Sequence, residues 1–166
     1  MVVTSAYTPI SVNLTELKSF CRVDGSADDA LLTMLYQAAV EEFNAYTGYI
    51  LGTATVTADT VGVEVYPLPY GPAGVITSVT AYDEEGNATV LALYDDYQRI
   101  NEQLIFNEVA DRLVIIYSAG TTAPSKDIIL ALYQRVKFAY DYGDDLPYNG
   151  TRFFDRLAFR YRQNFS

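Results

Sequence analysis

The stretch Leu14–Gly48, LTELKSFCRVDGSADDALLTMLYQAAVEEFNAYTG, decides the fold, because it predicts two helices joined by a polar turn. Asn13 precedes it and Glu16 follows three residues later, which is the spacing of a capping box with Asn13 as the N-cap. We therefore predict a first helix over about residues 13–22. Cys21 lies on its apolar face, and we interpret it as a small core residue rather than a nucleophile.

The segment VDGSADDALL, residues 23–32, spaces its acidic side chains as a calcium-binding loop does. In an EF-hand loop that starts at Asp24, the sixth residue is glycine and the twelfth is glutamate. Here these positions hold Asp29 and Leu35, so the loop pattern fails twice. A helix N-terminus is the better interpretation, with Ser26 as the N-cap and Asp29 in the first turn, where the helix dipole favours negative charge.

Two long helices are predicted, the first over about residues 27–47 with Gly48 as its stop. The apolar stripe of that helix has a spacing of three to four residues and consists of Leu31, Leu32, Leu35, Ala39, Phe43 and Tyr46. The other helix is predicted over about residues 125–142, with Ser125 as its cap. It is apolar on more than one side, so we expect it in the core or against another subunit.

Between these helices, about residues 52–118 alternate β-branched with small or polar residues and contain frequent turn signals. They predict five to seven short strands in an antiparallel sheet. The resulting fold class is α+β: an N-terminal helix pair, a central antiparallel β region and a long C-terminal helix that packs with the N-terminal helices. Residues 1–150 are predicted to form one domain.

The C-terminal segment 151–166 differs in charge from the rest of the chain. It contains four Arg and one acid, Asp155, for a net charge of +3, whereas the other 150 residues carry −13. We predict an extended or helical basic tail in which Phe and Tyr alternate with Arg. Docking onto an acidic partner or a phosphate backbone is one interpretation, with the aromatic residues as anchors. A solvated basic stripe is the other.

Several classes of function lack support in the composition. The chain has no His and a single Cys, which removes the usual hydrolase triads and zinc sites. Acidic pairs occur at Glu41/Glu42, Glu84/Glu85, Asp95/Asp96 and Asp144/Asp145, and we expect all of them to be solvated rather than catalytic. YGPAG lacks the spacing of a phosphate loop. We expect no metal, no cofactor, no signal peptide and no membrane span.

Three segments, taken in order, resemble the head–tail connector (adaptor) proteins of tailed bacteriophages. The first is Leu14–Gly48, with its Leu-x-Glu-x-Lys start, its Arg-Val-Asp and Asp-Asp-x-Leu-Leu motifs and its Tyr-Thr-Gly end. The second is YPLPYGPAGVITSVTAYDEEG, residues 66–86. The third is IIYSAGTTAPSKDIILALYQRVKFAYDY, residues 115–142. The region around residues 95–111 is longer than the family pattern, and the tail is richer in Arg and Phe.

The resemblance implies a structural virion protein without enzymatic activity, located at the head–tail interface and assembled in the host cytoplasm. Its implied partners are further copies of itself in a ring, usually of twelve, the portal protein and the next tail or stopper protein. Genomic DNA would pass through the ring without sequence-specific binding, which suits an acidic channel wall. A tail-completion or stopper protein and an enzyme with paired carboxylates are the alternatives.

Two sets of interface residues follow from the charge pattern together with the resemblance. The predicted portal-docking set lies in the tail and comprises Arg152, Phe153, Phe154, Arg156, Arg160, Tyr161, Arg162 and Phe165. The predicted subunit-interface set lies in the third helix and comprises Leu130, Tyr133, Lys137 and Tyr140. A ring needs two different faces on each copy, because its contacts are heterologous.

Overall fold

The computed structural model describes residues 1–142 and 152–162, without the side chains of Val3 and Arg152. Its helices and antiparallel sheets confirm the α+β class. The described residues divide into a β unit, Met1–Thr8 with Gly52–Thr121, and a helical unit, Pro9–Leu51 with Thr122–Arg162. This division differs from the predicted boundary after residue 150, because residues 152–162 belong to the helical unit.

The helical unit contains four helices: α1 Leu14–Cys21, α2 Asp29–Thr47, α3 Lys126–Tyr142 and α4 Arg152–Tyr161. The first three begin and end within two residues of the predicted bounds. Local signals explain this agreement at two helix ends. The Asn13 side chain accepts a hydrogen bond from the Glu16 N–H at the start of α1, and Gly48 ends α2 in the left-handed conformation with φ 70°.

The core of the helical unit lies among all four helices. Its fully buried side chains include Leu17, Leu32, Phe43, Leu132 and Val136. On α2 the buried face is rotated from the predicted stripe, which was wrong at its two ends: Leu31 is 41% exposed and Tyr46 is 49% exposed. Tyr36 and Val40 are buried instead, because α1, α3 and α4 pack on the side of α2 that carries them.

The β unit contains eight strands in two sheets. They are β1 Val2–Pro9, β2 Gly52–Val61, β3 Val65–Pro67, β4 Ala73–Tyr82, β5 Ala88–Val90, β6 Tyr97–Ile100, β7 Gln103–Phe106 and β8 Arg112–Ala119. One sheet has the order β1-β2-β8-β4-β5 and the other β3-β7-β6. Seven of the strands lie in the predicted region, but β1 was not predicted from the sequence.

Strand β8 forms the centre of the larger sheet, because it pairs antiparallel with both β2 and β4. Its buried residues alternate along the strand and include Leu113, Ile115 and Tyr117. Val56 of β2 is the Cα partner of Tyr117 and is also buried. The Tyr117 hydroxyl accepts a hydrogen bond from the Tyr70 N–H at 3.0 Å and donates to the Tyr70 carbonyl at 3.1 Å, which holds the Pro-rich loop.

Candidate functional site

The acidic turn between α1 and α2 is a structural joint. The Lys18 ammonium group forms an ion pair with the Asp29 carboxylate at 2.7 Å and also donates to the Gly25 carbonyl. The Tyr140 hydroxyl donates to the Asp28 carboxylate at 2.7 Å. These acids therefore have protein partners, and the described residues contain no group of three acids or thiols that could hold a metal ion.

The predicted N-cap of α2 was wrong. The helix begins at Asp29, and its N-cap is Asp28 rather than Ser26, with no hydrogen bond from the cap side chain to the first turn. Ser26 lies too far upstream, where its backbone carbonyl accepts a bond from the Asp29 N–H at 3.4 Å. The Asp28 carboxylate instead accepts a hydrogen bond from the Tyr140 hydroxyl.

Helix α4 is amphipathic, and its apolar face packs into the helical core. Phe154, Leu157 and Ala158 are at most 4% exposed. The Phe154 ring meets the Phe43 ring edge-on, with 6.0 Å between the centroids. The predicted docking role of Phe154 was therefore wrong for this structure, because its side chain is covered by the protein's own core.

Tyr161 ties the end of α4 to the start of α3. Its ring meets the Tyr49 ring at a centroid distance of 5.4 Å, and its hydroxyl donates to the Asp127 carboxylate at 3.2 Å. The Ser125 hydroxyl also bonds to that carboxylate and, with the Ile128 N–H and Tyr161, lowers the pKa of Asp127. Tyr161 is thus a packing residue of the helical unit and not a free anchor as predicted.

The opposite side of α4 is exposed and basic. We name this side the α4 basic face, which consists of Phe153, Arg156, Phe159 and Arg160. Phe153 is 41% exposed and Phe159 is 68% exposed. At 100° per residue these four side chains lie on one half of the helix, opposite to Phe154 and its buried neighbours. Neither guanidinium of this face forms an ion pair with another described residue.

The other residues of the predicted portal-docking set differ in their exposure and in how far the structure describes them. Arg162 is exposed, and its guanidinium lies over the Tyr46 ring at 5.7 Å from the centroid. Arg152 is the first residue of α4, and only its backbone is described. Phe165 lies outside the described residues. Phe153, Arg156, Arg160 and Arg162 therefore remain as exposed members of the set.

The predicted subunit-interface residues of α3 also differ in their exposure. Leu130 is 40% exposed, and Lys137 is partly exposed and pairs with Asp141 at 2.8 Å. Tyr133 was wrongly assigned to this surface, because it is only 7% exposed and its ring contacts two aromatic rings of the helical unit. Tyr140 is half-buried and is held by its bond to Asp28.

A cleft of about 510 Å³ in the β unit gathers acids that are distant in sequence, and we name it the acidic cleft. Its acidic residues come from the end of β4, the β5–β6 connection and the β7–β8 connection; they are Asp83, Asp95, Asp96, Glu108 and Asp111. All five are exposed, and none of the described lining residues is basic. The sequence indicated solvated acids, but nothing in it indicated that they converge.

Two carboxylates of the cleft accept hydrogen bonds that hold its loops. The other three form no such hydrogen bond with another described residue. Asp83 accepts bonds from the Asn87 N–H and side-chain amide, which lower its pKa. Asp96 accepts from the Ala92 N–H at 2.7 Å. The carboxylates of Asp95, Glu108 and Asp111 are in no ion pair with a described residue, so the cleft carries uncompensated negative charge.

The remaining residues considered as sites in the sequence are Cys21 and the acidic pairs outside the acidic cleft. Cys21 is buried in the helical core, and burial raises the pKa of its thiol, which disfavours the nucleophilic thiolate. Glu42 pairs with Arg135 at 2.9 Å, and Glu84 and Glu85 are exposed in the β4–β5 turn. Asp144 and Asp145 lie outside the described residues. No helix among the described residues has the length and apolarity to span a membrane.

Comparison with known proteins places these observations in a family. A family model described as phage gp6-like head-tail connector protein matches residues 11–107. No curated protein matches the chain significantly.

Among solved structures, the chain is similar to a chain from the neck of an empty gene transfer agent (GTA) particle in C6 symmetry. That likeness has a TM-score of 0.73 and 17% identity, and it covers 100% of this chain and 97% of that chain. A chain of the native GTA virion gives a TM-score of 0.69 at 18% identity, with 99% and 97% covered. A chain of the native GTA neck in C12 symmetry gives 0.64 at 17% identity, with 98% and 97% covered. At these identities the likeness shows a shared fold.

Proposed function

The chain belongs to the family of phage gp6-like head–tail connector proteins, and from this premise we propose that it assembles as a ring between a portal and a tail. It is a structural protein of the virion's head–tail interface. The observation that carries the proposal is the family match over residues 11–107. The solved neck chains that share the fold come from particles treated in C6 and C12 symmetry, which supports a cyclic assembly.

The ring proposal accounts for the exposed surfaces of the chain. Each copy in a ring offers two different faces to its neighbours, and two further faces to the portal and to the next tail component. Leu130 and Lys137 remain candidates for one subunit face, since both are exposed or partly exposed on α3. We propose a ring of twelve copies as the family norm.

The proposed passage of DNA rests on the charge of the chain. The net charge is −10, and a wall of negative potential does not retain a polyanion that passes through it. A channel of this kind needs no base-specific contacts. We therefore propose that genomic DNA crosses the ring without sequence-specific binding, and that no catalytic role belongs to the acidic pairs.

The test uses particles assembled without this chain. Purified protein is added to filled heads that carry a portal, and tails are then added. The proposal predicts that the protein co-sediments with the heads and that tails then attach. Heads that lack the portal should bind neither the protein nor the tails. Failure to bind portal-bearing heads would contradict the proposal. A protein that binds only after another neck component has been added would be a stopper or tail-completion protein instead.

A further inference from the structure

The α4 basic face has the composition of an interface rather than of an ordinary solvated surface. Phe159 leaves 68% of its side chain in water, and Phe153 leaves 41%, although the same helix buries three apolar side chains on its other side. Arg156 and Arg160 stand one turn apart beside these rings. Phe and Arg are enriched in protein–protein interfaces, and exposed aromatic side chains of this kind act as anchors when they are buried by a partner.

We propose that the α4 basic face of one copy docks onto the acidic cleft of a neighbouring copy, an inference that rests on the proposed ring. The opposite charges of the two surfaces are the reason for choosing the acidic cleft as the surface that the α4 basic face contacts. The face presents two guanidinium groups without ion pairs among the described residues, and the cleft presents five carboxylates and no basic group in its described lining. Opposite potentials on two surfaces guide association and fix its register.

The cleft also offers apolar contacts to the exposed rings of α4. Val109 lines the cleft and is 64% exposed. Leu93 and Tyr94 directly precede the lining residue Asp95, and they are 41% and 78% exposed. Each of these side chains leaves much of its apolar surface in water in the isolated copy. Burying them against Phe153 and Phe159 removes apolar surface from water, which favours the contact.

The proposed contact joins two different surfaces of the chain. The face belongs to the helical unit and the cleft to the β unit, so every copy carries one of each and the contact is heterologous. In a closed ring each face meets a cleft, and none is left unpaired. The portal is the competing occupant of the α4 basic face, and the acidic cleft is favoured because every copy carries it.

The test uses two charge-reversed variants. Arg156→Glu with Arg160→Glu reverses the charge of the face. Asp95→Lys, Glu108→Lys and Asp111→Lys together reverse the charge of the cleft, because three Lys then stand beside the two remaining carboxylates of Asp83 and Asp96. The three substituted carboxylates are exposed and form no ion pair with a described residue. Each variant alone is expected to need at least about tenfold more protein for half-assembly than the wild type, because like charges then meet. An equal mixture restores assembly, since each reversed face meets a reversed cleft and each native face a native cleft. The mixed ring contains the two variants in equal numbers.

A matched control separates this effect from a general change in charge. Asp24→Lys, Glu41→Lys and Glu85→Lys together change the net charge as much as the cleft variant does, but these three exposed residues do not line the cleft. The control is expected to assemble as the wild type does. Circular dichroism of all variants checks that each remains folded.

The outcomes distinguish the inference from the proposed function. Normal assembly of the Arg156→Glu/Arg160→Glu variant overturns the inference, and loss of portal binding by that variant with normal rings assigns the face to the portal instead. A mixture that fails to recover rings also overturns the inference. A wild-type protein that forms no ring, alone or on a portal, contradicts the proposed function itself.

Discussion

The hydroxyl of Tyr161 on α4 donates a hydrogen bond to the carboxylate of Asp127 on α3, with 3.2 Å between the oxygen atoms. This bond and the ring contact with Tyr49 fix the end of α4 on the helical unit. Tyr161→Phe keeps the ring and loses the bond, so it should lower the free energy of unfolding by about 1 kcal/mol. Chemical denaturation of the two proteins measures this difference. An unchanged midpoint would show that the bond does not stabilise the helix.

Acid should weaken the same attachment. The pKa of Asp127 is lowered by its bonds to Ser125, Ile128 and Tyr161, so its folded pKa lies below the unfolded one. The stabilisation is then complete above the ordinary value of 3.8 and is lost as the pH falls through that value towards the folded pKa. Asp127→Asn should lower the melting temperature at pH 7. At pH 3 the melting temperatures of the variant and the wild type should differ by less than they do at pH 7. Equal differences at both pH values would contradict this origin.

The two sides of α4 should respond differently to truncation. Phe154→Ala removes a ring that is 4% exposed and should cost about 3–5 kcal/mol of stability. Phe159→Ala, on the same helix but 68% exposed, should stay within about 0.5 kcal/mol in the monomer. Denaturation midpoints of both variants provide the comparison. Similar losses would mean that α4 is not packed as described.

Deletion of the whole segment should also destabilise the helical unit. A separable tail, as the sequence predicted for residues 151–166, would leave the core folded after deletion. Phe154, Leu157 and Ala158 instead belong to the helical core, so their removal exposes apolar surface around Phe43. We expect a lower melting temperature and aggregation of the truncated protein. A truncated protein as stable as the full chain would restore the idea of an independent tail.

Gly62 should be the least replaceable glycine among those compared in the β unit. A Cβ atom at this position would lie 1.4 Å from the Ala110 carbonyl oxygen, which is backbone and cannot rotate away. Gly86 has no atom within 4 Å of such a Cβ, although its φ of +84° disfavours other residues. Gly86→Ala should therefore cost roughly 1–2 kcal/mol, and Gly62→Ala should cost clearly more. Thermal unfolding of both variants decides the order.

Calcium should leave the protein unchanged. The acids that imitate a calcium loop are engaged by protein groups, since Asp29 pairs with Lys18 and Asp28 accepts from Tyr140. Millimolar calcium should not shift the melting temperature, whereas Lys18→Ala should lower it by weakening the α1–α2 joint. A stabilising shift with calcium alone would revive the metal-site interpretation.

Local signals explain the parts of the fold that the sequence predicted. The bounds of α1 and the end of α2 follow from Asn13 and Gly48, whose side-chain and backbone properties act within a few residues. The assignment of Ser26 as the cap failed because the helix begins at Asp29, with Asp28 as its N-cap, and Asp28 is in contact with Tyr140 far along the chain. Strand β1 was missed because Val2 and residues 4–9, the side chains of VVTSAYTP that the structure describes, are all exposed and lack the alternation of a half-buried strand.

The candidate surfaces depended still more on tertiary packing. The sequence predicted a basic tail with interleaved Phe and Tyr, but it did not decide which of these rings the protein covers. Phe154 and Tyr161 were therefore wrongly assigned to the docking surface. The acidic cleft could not be predicted, because its carboxylates come from three connections that only the sheet brings together. Charge composition indicated a basic C-terminal segment and an acidic remainder of the chain, but not which surface of either is exposed.

The central claim is that this chain acts as a cyclic connector, and the mass of the purified protein tests it most directly. Native mass spectrometry measures that mass for the chain alone and after mixing with isolated portal rings. A closed ring of identical copies, twelve by the proposal, is expected alone or on the portal. A protein that remains a monomer of 18.5 kDa under both conditions would contradict the account.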